Sequence, residues 1–125
     1  MLTLIKKKNT PEFYTDERCH IVELINDKAN AQLSVARCRV ERGVVTQLHS
    51  LTGTRETYLI ESGDGEMDDG GGNGFRVSVG DSIMIEPNHP QRIRNIGETD
   101  LVFLVICQPR FEPACYKNLE EDNGN

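Results

Sequence analysis

The sequence predicts an all-β protein, and three observations support that fold class. Segments in which apolar and polar residues alternate recur along the chain, and this two-residue period is that of a half-buried strand. Turns that contain glycine separate these segments. The 125 residues show no strong helical period before the last ten residues and have the length of a single domain. Short strands divided by turns are typical of a β-sandwich or a barrel.

The first clear strand covers residues 32–41, which read QLSVARCRVE. In its second half, Ala36, Cys38 and Val40 share one face, and two arginines and a glutamate share the other. This pattern predicts a half-buried strand that turns small apolar side chains inward.

Five further strands follow at short intervals. The last of them, LVFLVIC, is apolar on both faces, which predicts a central strand covered on both sides. The five predicted strands cover residues 56–61, 75–79, 82–86, 91–96 and 101–107.

Turns are expected between these strands, at residues 62–65 and in the glycine-rich run DDGGGNG at residues 68–74. A phosphate-binding loop would need a GK[ST] motif and a following helix, and neither follows this run. We therefore expect a hairpin tip there. Residues 116–125 are expected to begin as a short helix.

Charge and cysteine content narrow the partners and the compartment. A net charge of −6 and a pI of about 5.0 disfavour binding to nucleic acid or to an anionic membrane surface. No run approaches the roughly 18 apolar residues of a membrane span, and the N-terminus lacks the apolar core of a signal peptide. The four cysteines show no CxxC spacing, so we expect free thiols and a cytoplasmic location rather than a structural zinc site.

A pattern of glycines and polar residues in the middle of the chain resembles the two-motif signature of the cupins. The matching residues are Gly43, His49, Leu51, Glu56, Gly63, Gly80, Asp81, Pro87, Gln91, Asn95, Ile96 and Gly97. The resemblance implies a double-stranded β-helix, a jelly-roll-like antiparallel barrel with an internal pocket. It implies a single domain over residues 1–125, with N-terminal strands at 1–32, a core barrel at about 33–111 and a C-terminal tail at 112–125.

The resemblance also implies a metal site. Cupins commonly use two histidines two residues apart, a glutamate and a third histidine. His49 and Glu56 match two of these positions, whereas Leu51 and Gln91 stand where the other histidines are expected. The implied ligands are therefore His49, Glu56 and Gln91, and the implied ion is Zn, Fe, Ni or Mn. The residues alone leave open whether His49 instead forms a structural hydrogen bond with Glu56.

Strand alternation predicts which side chains accompany these ligands in the pocket. Gln47 and Leu51 share the face of His49, Tyr58 shares that of Glu56, and Ile93 shares that of Gln91. Another inward-facing candidate is Cys38. We therefore expect Gln47, Leu51, Tyr58, Ile93 and Cys38 to line the pocket.

The expected function is that of a small-molecule-binding cupin with a divalent metal in its barrel. The sequence leaves open whether the protein is an enzyme. If it is one, we expect a metal-dependent oxygenase or isomerase that acts on a small polar substrate. The alternatives are a metal-free module that binds or senses a sugar or an acid, and a scaffold with a vestigial pocket. The resemblance also implies a homodimer, with strands at residues 2–7 and 20–25 as candidates for pairing with the second subunit.

Overall fold

The structure is a computed structural model that describes residues 1–120, and over this range it is built from β-strands with two short 3-10 turns. The strands are β1 (Phe13–Tyr14), β2 (His20–Ile25), β3 (Ser34–Val40), β4 (His49–Leu51), β5 (Arg55–Ser62), β6 (Asp64–Asp68), β7 (Gly74–Ser78), β8 (Ser82–Ile85), β9 (Arg92–Asn95), β10 (Leu101–Gln108) and β11 (Tyr116–Asn118). The 3-10 turns cover Lys7–Asn9 and Pro113–Cys115. The predicted all-β class is confirmed.

Two curved walls form the barrel. The first is a six-stranded antiparallel sheet in the order β1-β2-β3-β10-β5-β8. The second combines the pair β11-β4 with the sheet β7-β6-β9, and a bridge between His49 and Gln91 joins the two parts. The core fills the space between the walls, because alternate residues of each strand face inward.

Strand β10 is the centre of the first wall. It pairs with β3 on one side and β5 on the other, so that Phe103 lies between Cys38 and Ile60. Phe103 is buried, and its ring stacks on that of Tyr58 with 4.6 Å between centroids. The apolar run at residues 101–107 is thus the central strand that the sequence predicts. Its outward side chains Val102 and Leu104 are half-buried in the single chain rather than covered.

Strand β6 was not predicted, because its sequence DGEMD has two glycine-adjacent acids and no β-branched residue. It forms because it pairs with β7 on one side and β9 on the other. The chain bends at Gly63 as it passes from the first wall to the second; the φ of Gly63 is +90°, and a Cβ atom there would lie 2.8 Å from the carbonyl oxygen of Asp100. The predicted turn at residues 62–65 is therefore shorter than expected, and strand β6 begins at Asp64.

Both ends of the chain differ from the sequence-based expectation. The expected strand at residues 2–7 is absent: residues 2–6 have no regular structure and Lys7 begins a 3-10 turn. Leu2 and Leu4 are exposed, because no neighbouring strand supplies backbone partners there. The expected helix from residue 116 is absent over the described residues, since Tyr116–Asn118 pairs with β4 instead. Backbone pairing across the barrel outweighs the local helix preference of this segment. The remainder of that prediction, residues 121–125, lies outside the described residues.

Within residues 1–120, no helix has the length and apolar character that crossing a bilayer requires.

The stacked pair in the core makes a prediction about stability. Phe103→Ala should lower the free energy of unfolding by about 3–5 kcal/mol, because it removes a buried ring and leaves a cavity. Phe75→Ala is the matched control, since Phe75 lies on β7 and is 55% exposed, and it should cost less than about 1 kcal/mol. Urea titration of the two variants measures the difference. Equal losses would contradict the position of Phe103 in the core.

Candidate functional site

A cavity of about 240 Å³ lies inside the barrel. Its wall is largely apolar and aromatic, with contributions from β3, β5 and β10 of the first wall and β4 of the second. The polar side chains His49 and Glu56 lie in this wall and are both buried. The cavity is thus a mostly apolar space with a small number of polar groups in its wall, as is typical of small-molecule sites.

His49 is held by the backbone and by its own ring contacts. Its Nδ1–H donates to the carbonyl oxygen of Gln47 at 2.8 Å, which leaves a lone pair on Nε2 in the neutral ring. The ring stacks on Tyr116 with 4.9 Å between centroids. Burial lowers the pKa of His49, although the hydrogen bond to Gln47 opposes this effect. The imidazole is therefore a neutral group that offers Nε2 as an acceptor or ligand.

Glu56 faces His49 from the opposite wall. Its Oε1 lies 4.0 Å from Nε2 of His49 and accepts a hydrogen bond from the side-chain amide of Gln91. Burial raises the pKa of Glu56 to about 8; the Gln91 hydrogen bond opposes the rise, and the negative charge of Glu17 adds to it. Because burial favours the neutral form of both residues, His49 and Glu56 are not an ion pair at neutral pH.

Gln91, the residue immediately before β9, is the third member of the cluster. Its backbone exchanges hydrogen bonds with His49, N to O at 2.9 Å and 3.0 Å. Its side-chain Nε2 donates to Glu56, and its Oε1 is buried without a hydrogen-bond partner among the described residues. A buried amide oxygen without a partner is costly, so it marks a position where a further group would be stabilised. The structure thus brings the side chains of His49, Glu56 and Gln91 together.

The expected pocket-lining residues fall in three places. Leu51, Tyr58 and Cys38 lie in the cavity wall. Gln47 lies on a neighbouring surface groove, where its side-chain oxygen accepts a hydrogen bond from Tyr116 at 2.6 Å. Ile93 lies in the closed core beneath Gly65 and is fully buried, away from the cavity wall.

Among the cavity residues that the sequence did not identify, Glu17 and Tyr116 stand out by their chemistry and position. Glu17 lies in the loop between β1 and β2 and lines both the cavity and the surface groove. Tyr116 lies in the segment that was expected to be helical, and its ring covers His49. A loop residue carries no periodicity that would orient it, and the position of Tyr116 depends on the pairing of β11 with β4. Neither residue had a signal in the sequence.

The three clustered side chains fit a divalent cation. Nε2 of His49 and Oε1 of Glu56 are 4.0 Å apart, which two metal bonds of about 2.0–2.2 Å span only at an angle well above tetrahedral, so the two side chains would move slightly closer on binding. The third donor would be the unpartnered Oε1 of Gln91 after rotation of its amide. Among residues 1–120, no group of three or more His, Cys, Asp and Glu side chains is placed to hold a metal, so His49 and Glu56 would need the Gln91 amide as a third donor.

Comparison with known proteins identifies the family and the fold. The family model described as Cupin domain matches residues 36–107, more than half of the chain. No functionally curated protein matches the sequence.

Several solved structures share the barrel. A predicted oxalate decarboxylase from Thermotoga maritima has a TM-score of 0.74 and 23% identity, over 86% of this chain and 99% of that one. The polyketide cyclase RemF from Streptomyces resistomycificus has a TM-score of 0.78 and 15% identity, over 98% and 89%. The nucleoside dehydratase Pac13 from Streptomyces has a TM-score of 0.80 and 16% identity, over 96% and 92%. These similarities establish the fold and leave the chemistry to the side chains.

The buried carboxyl of Glu17 makes a prediction about pH. Burial raises its pKa from 4.5 to about 7, so the folded state binds the proton more tightly than the unfolded state does. The resulting stabilisation is complete below pH 4.5 and is lost as the pH rises through about 7. Glu17→Gln should therefore reduce the loss of stability between pH 5 and pH 8 by up to about 3 kcal/mol.

Urea titrations at the two pH values, in buffer with a metal chelator, measure this change. Asp16→Asn is the matched control, because Asp16 is the preceding residue and is exposed. If Glu17→Gln and the unmodified protein lost the same free energy of unfolding between pH 5 and pH 8, the Glu17 carboxyl would not be desolvated.

Proposed function

Since the chain belongs to the cupin family, we propose that it binds a small polar organic molecule in its barrel, beside a divalent metal held by His49, Glu56 and Gln91. The observation that carries the proposal is that these three side chains, from β4, β5 and the residue before β9, meet one another, with His49 and Glu56 in the cavity wall. The solved cupins of this shape include proteins described as acting on polyketides and nucleosides, one of them bound to uridine.

The surroundings of His49 support its role as a ligand. Metal-binding histidines commonly donate their second ring N–H to a carbonyl or a carboxylate, which fixes the tautomer and aims the other nitrogen at the metal. The bond from Nδ1 to the Gln47 carbonyl has this form. Stacking on Tyr116 prevents rotation of the ring. His49 is thus already oriented for coordination through Nε2.

Glu56 and Gln91 would supply the two oxygen donors. Glu56 brings one negative charge, and Gln91 brings a neutral amide oxygen, a weaker ligand than imidazole. Such a metal, when bound, supplies Lewis-acid polarisation or activation of oxygen. The protein's own contribution is a largely apolar wall that excludes water and includes Tyr58 and Phe103.

A metal-free ligand site is the second candidate, because the cluster is nearly self-sufficient without a cation. The Gln91 amide satisfies Oε1 of Glu56, and the raised pKa of about 8 keeps that carboxyl protonated at neutral pH. The carboxyl and the imidazole would then hydrogen-bond a sugar or an acid directly. Leu51, at the position of a second cupin histidine, occupies the wall with an apolar side chain.

We also propose that the protein is a cytoplasmic homodimer. The four cysteines are free, which suits a reducing compartment. The outer face of the first wall is apolar for a surface, with Leu104 half-buried and Met84 66% exposed. The edge strand β1 exposes Phe13 and Tyr14. A second copy of the chain would cover these groups through a self-complementary interface.

Metal content tests the leading proposal. Protein purified without an immobilised-metal column should contain near-stoichiometric Zn, Fe, Ni or Mn by mass spectrometry. His49→Ala and Glu56→Ala should reduce the metal content at least tenfold, because each removes one of only three donors. His89→Ala is the matched control and should keep its metal, since His89 is exposed and outside the cluster.

Metal content that does not change in His49→Ala would exclude this site. A metal-free protein that is stabilised against heat by a sugar or an acid in the presence of a chelator would favour the second candidate.

The proposed interface predicts a change in oligomeric state. Leu104→Glu should convert a dimer to a monomer, because it places a charge on the outer face between Arg37 and Leu59, where an apolar contact is expected. Val79→Glu is the control, since Val79 is 63% exposed in the turn between β7 and β8. Sedimentation velocity measures the mass. An unmodified protein that stays monomeric at high concentration would contradict the interface.

A further inference from the structure

Glu17 stands at the mouth of the barrel cavity. It lies on the boundary between the cavity and the neighbouring surface groove, together with Phe111 and Tyr116. Its position is fixed by the backbone, because its carbonyl oxygen accepts a hydrogen bond from the amide of Gln47 at 3.0 Å. A ligand that enters from the groove therefore passes the Glu17 carboxyl.

The Glu17 carboxyl has no protein partner within residues 1–120. No hydrogen bond or ion pair there involves its side chain. The guanidinium of the next residue, Arg18, is committed elsewhere, to the carbonyl of Val45 at 2.9 Å and to Glu120 at 2.6 Å. The cavity wall contains no lysine or arginine over the described residues. An ionised Glu17 is therefore an uncompensated charge, and a cation at the mouth would be stabilised there.

Aromatic rings surround the same space. Tyr116 and Phe111 flank the mouth, and Tyr58 and Phe103 lie in the wall beyond it. Ring faces attract ammonium groups and also pack against the apolar body of a ligand. A wall of this composition accepts organic cations and offers no basic side chain to an organic anion.

We propose that Glu17 makes the cavity selective for small organic amines, with the protonated amino group at the mouth and an apolar or aromatic body inside. The inference rests on the proposed function in one respect, since it takes the barrel cavity as the ligand site. Beyond the proposed function, the inference names organic amines as the class of ligand and Glu17 as the residue that selects them.

The arrangement separates the two ends of such a ligand. Glu17 lies where the cavity meets the groove, whereas His49 and Glu56 line the cavity and not the groove. The amino group at Glu17 and the group that meets His49 and Glu56 would thus be distinct parts of one molecule. A cavity of about 240 Å³ has room for a phenylethyl group between them.

Three matched probes test the selectivity: 2-phenylethylamine, 2-phenylethanol and phenylacetate, measured by isothermal titration calorimetry at pH 8 with a chelator present. This pH is above the raised pKa of about 7, so Glu17 is ionised. The unmodified protein should bind the amine about tenfold or more tightly than the alcohol, and should bind the acid most weakly. Glu17→Gln should reduce the ratio of amine to alcohol affinity below about threefold, mainly because the amine binds more weakly.

Two control variants separate the possible failures. Asp16→Asn changes the same charge at the adjacent, exposed residue, and it should keep the amine preference. Ala36→Leu adds volume to the cavity wall and should weaken binding of every probe, which places them in the cavity.

An unchanged amine-to-alcohol ratio in Glu17→Gln, with the alcohol still bound in the cavity, would overturn the inference alone. Tightest binding of phenylacetate would overturn it as well. Failure of all three probes to bind at millimolar concentration would overturn both the inference and the cavity as a site for ligands of this size.

Discussion

The reciprocal backbone hydrogen bonds between His49 and Gln91 are the contact on which the candidate site depends. At 3.0 and 2.9 Å they join the short strand β4 to the start of β9 and so complete the second wall of the barrel. Because the two residues are directly opposite each other, their side chains leave the sheet on the same side. Glu56 meets them from the first wall. The polar cluster of His49, Glu56 and Gln91 therefore forms only when the two walls of the barrel pack together.

Burial decides the charge state of this cluster. It lowers the pKa of His49 and raises that of Glu56, since a poorly solvated charge is costly. Glu17 shows the same effect at the mouth. Without basic side chains in the wall of the described cavity, a cation that enters would stabilise the ionised carboxyls. Solved cupins with 15–23% identity share this barrel and carry names of different activities, so the cavity side chains have to define the chemistry.

Strong local patterns made individual strands predictable where they occurred, and the resemblance to the cupins supplied the barrel. The alternation in residues 32–41 and the apolar run in residues 101–107 correspond to neighbouring strands, because a two-residue period requires one buried face. Strand β6 has no such pattern and exists through pairing with two neighbours. Residues 2–7 were expected to form a strand and do not, since their apolar side chains find no adjacent strand in the single chain.

The sequence by itself determined the all-β class and most strand positions, because periodicity is a local property, and its resemblance to the cupins supplied His49, Glu56 and Gln91 as candidates. Only the tertiary structure decided that these side chains meet, that Tyr116 covers the imidazole and that Glu17 stands at the mouth. Those contacts join residues far apart in the chain, and their geometry depends on how the two walls close. No local pattern contains that information, since it arises from backbone pairing across the whole barrel.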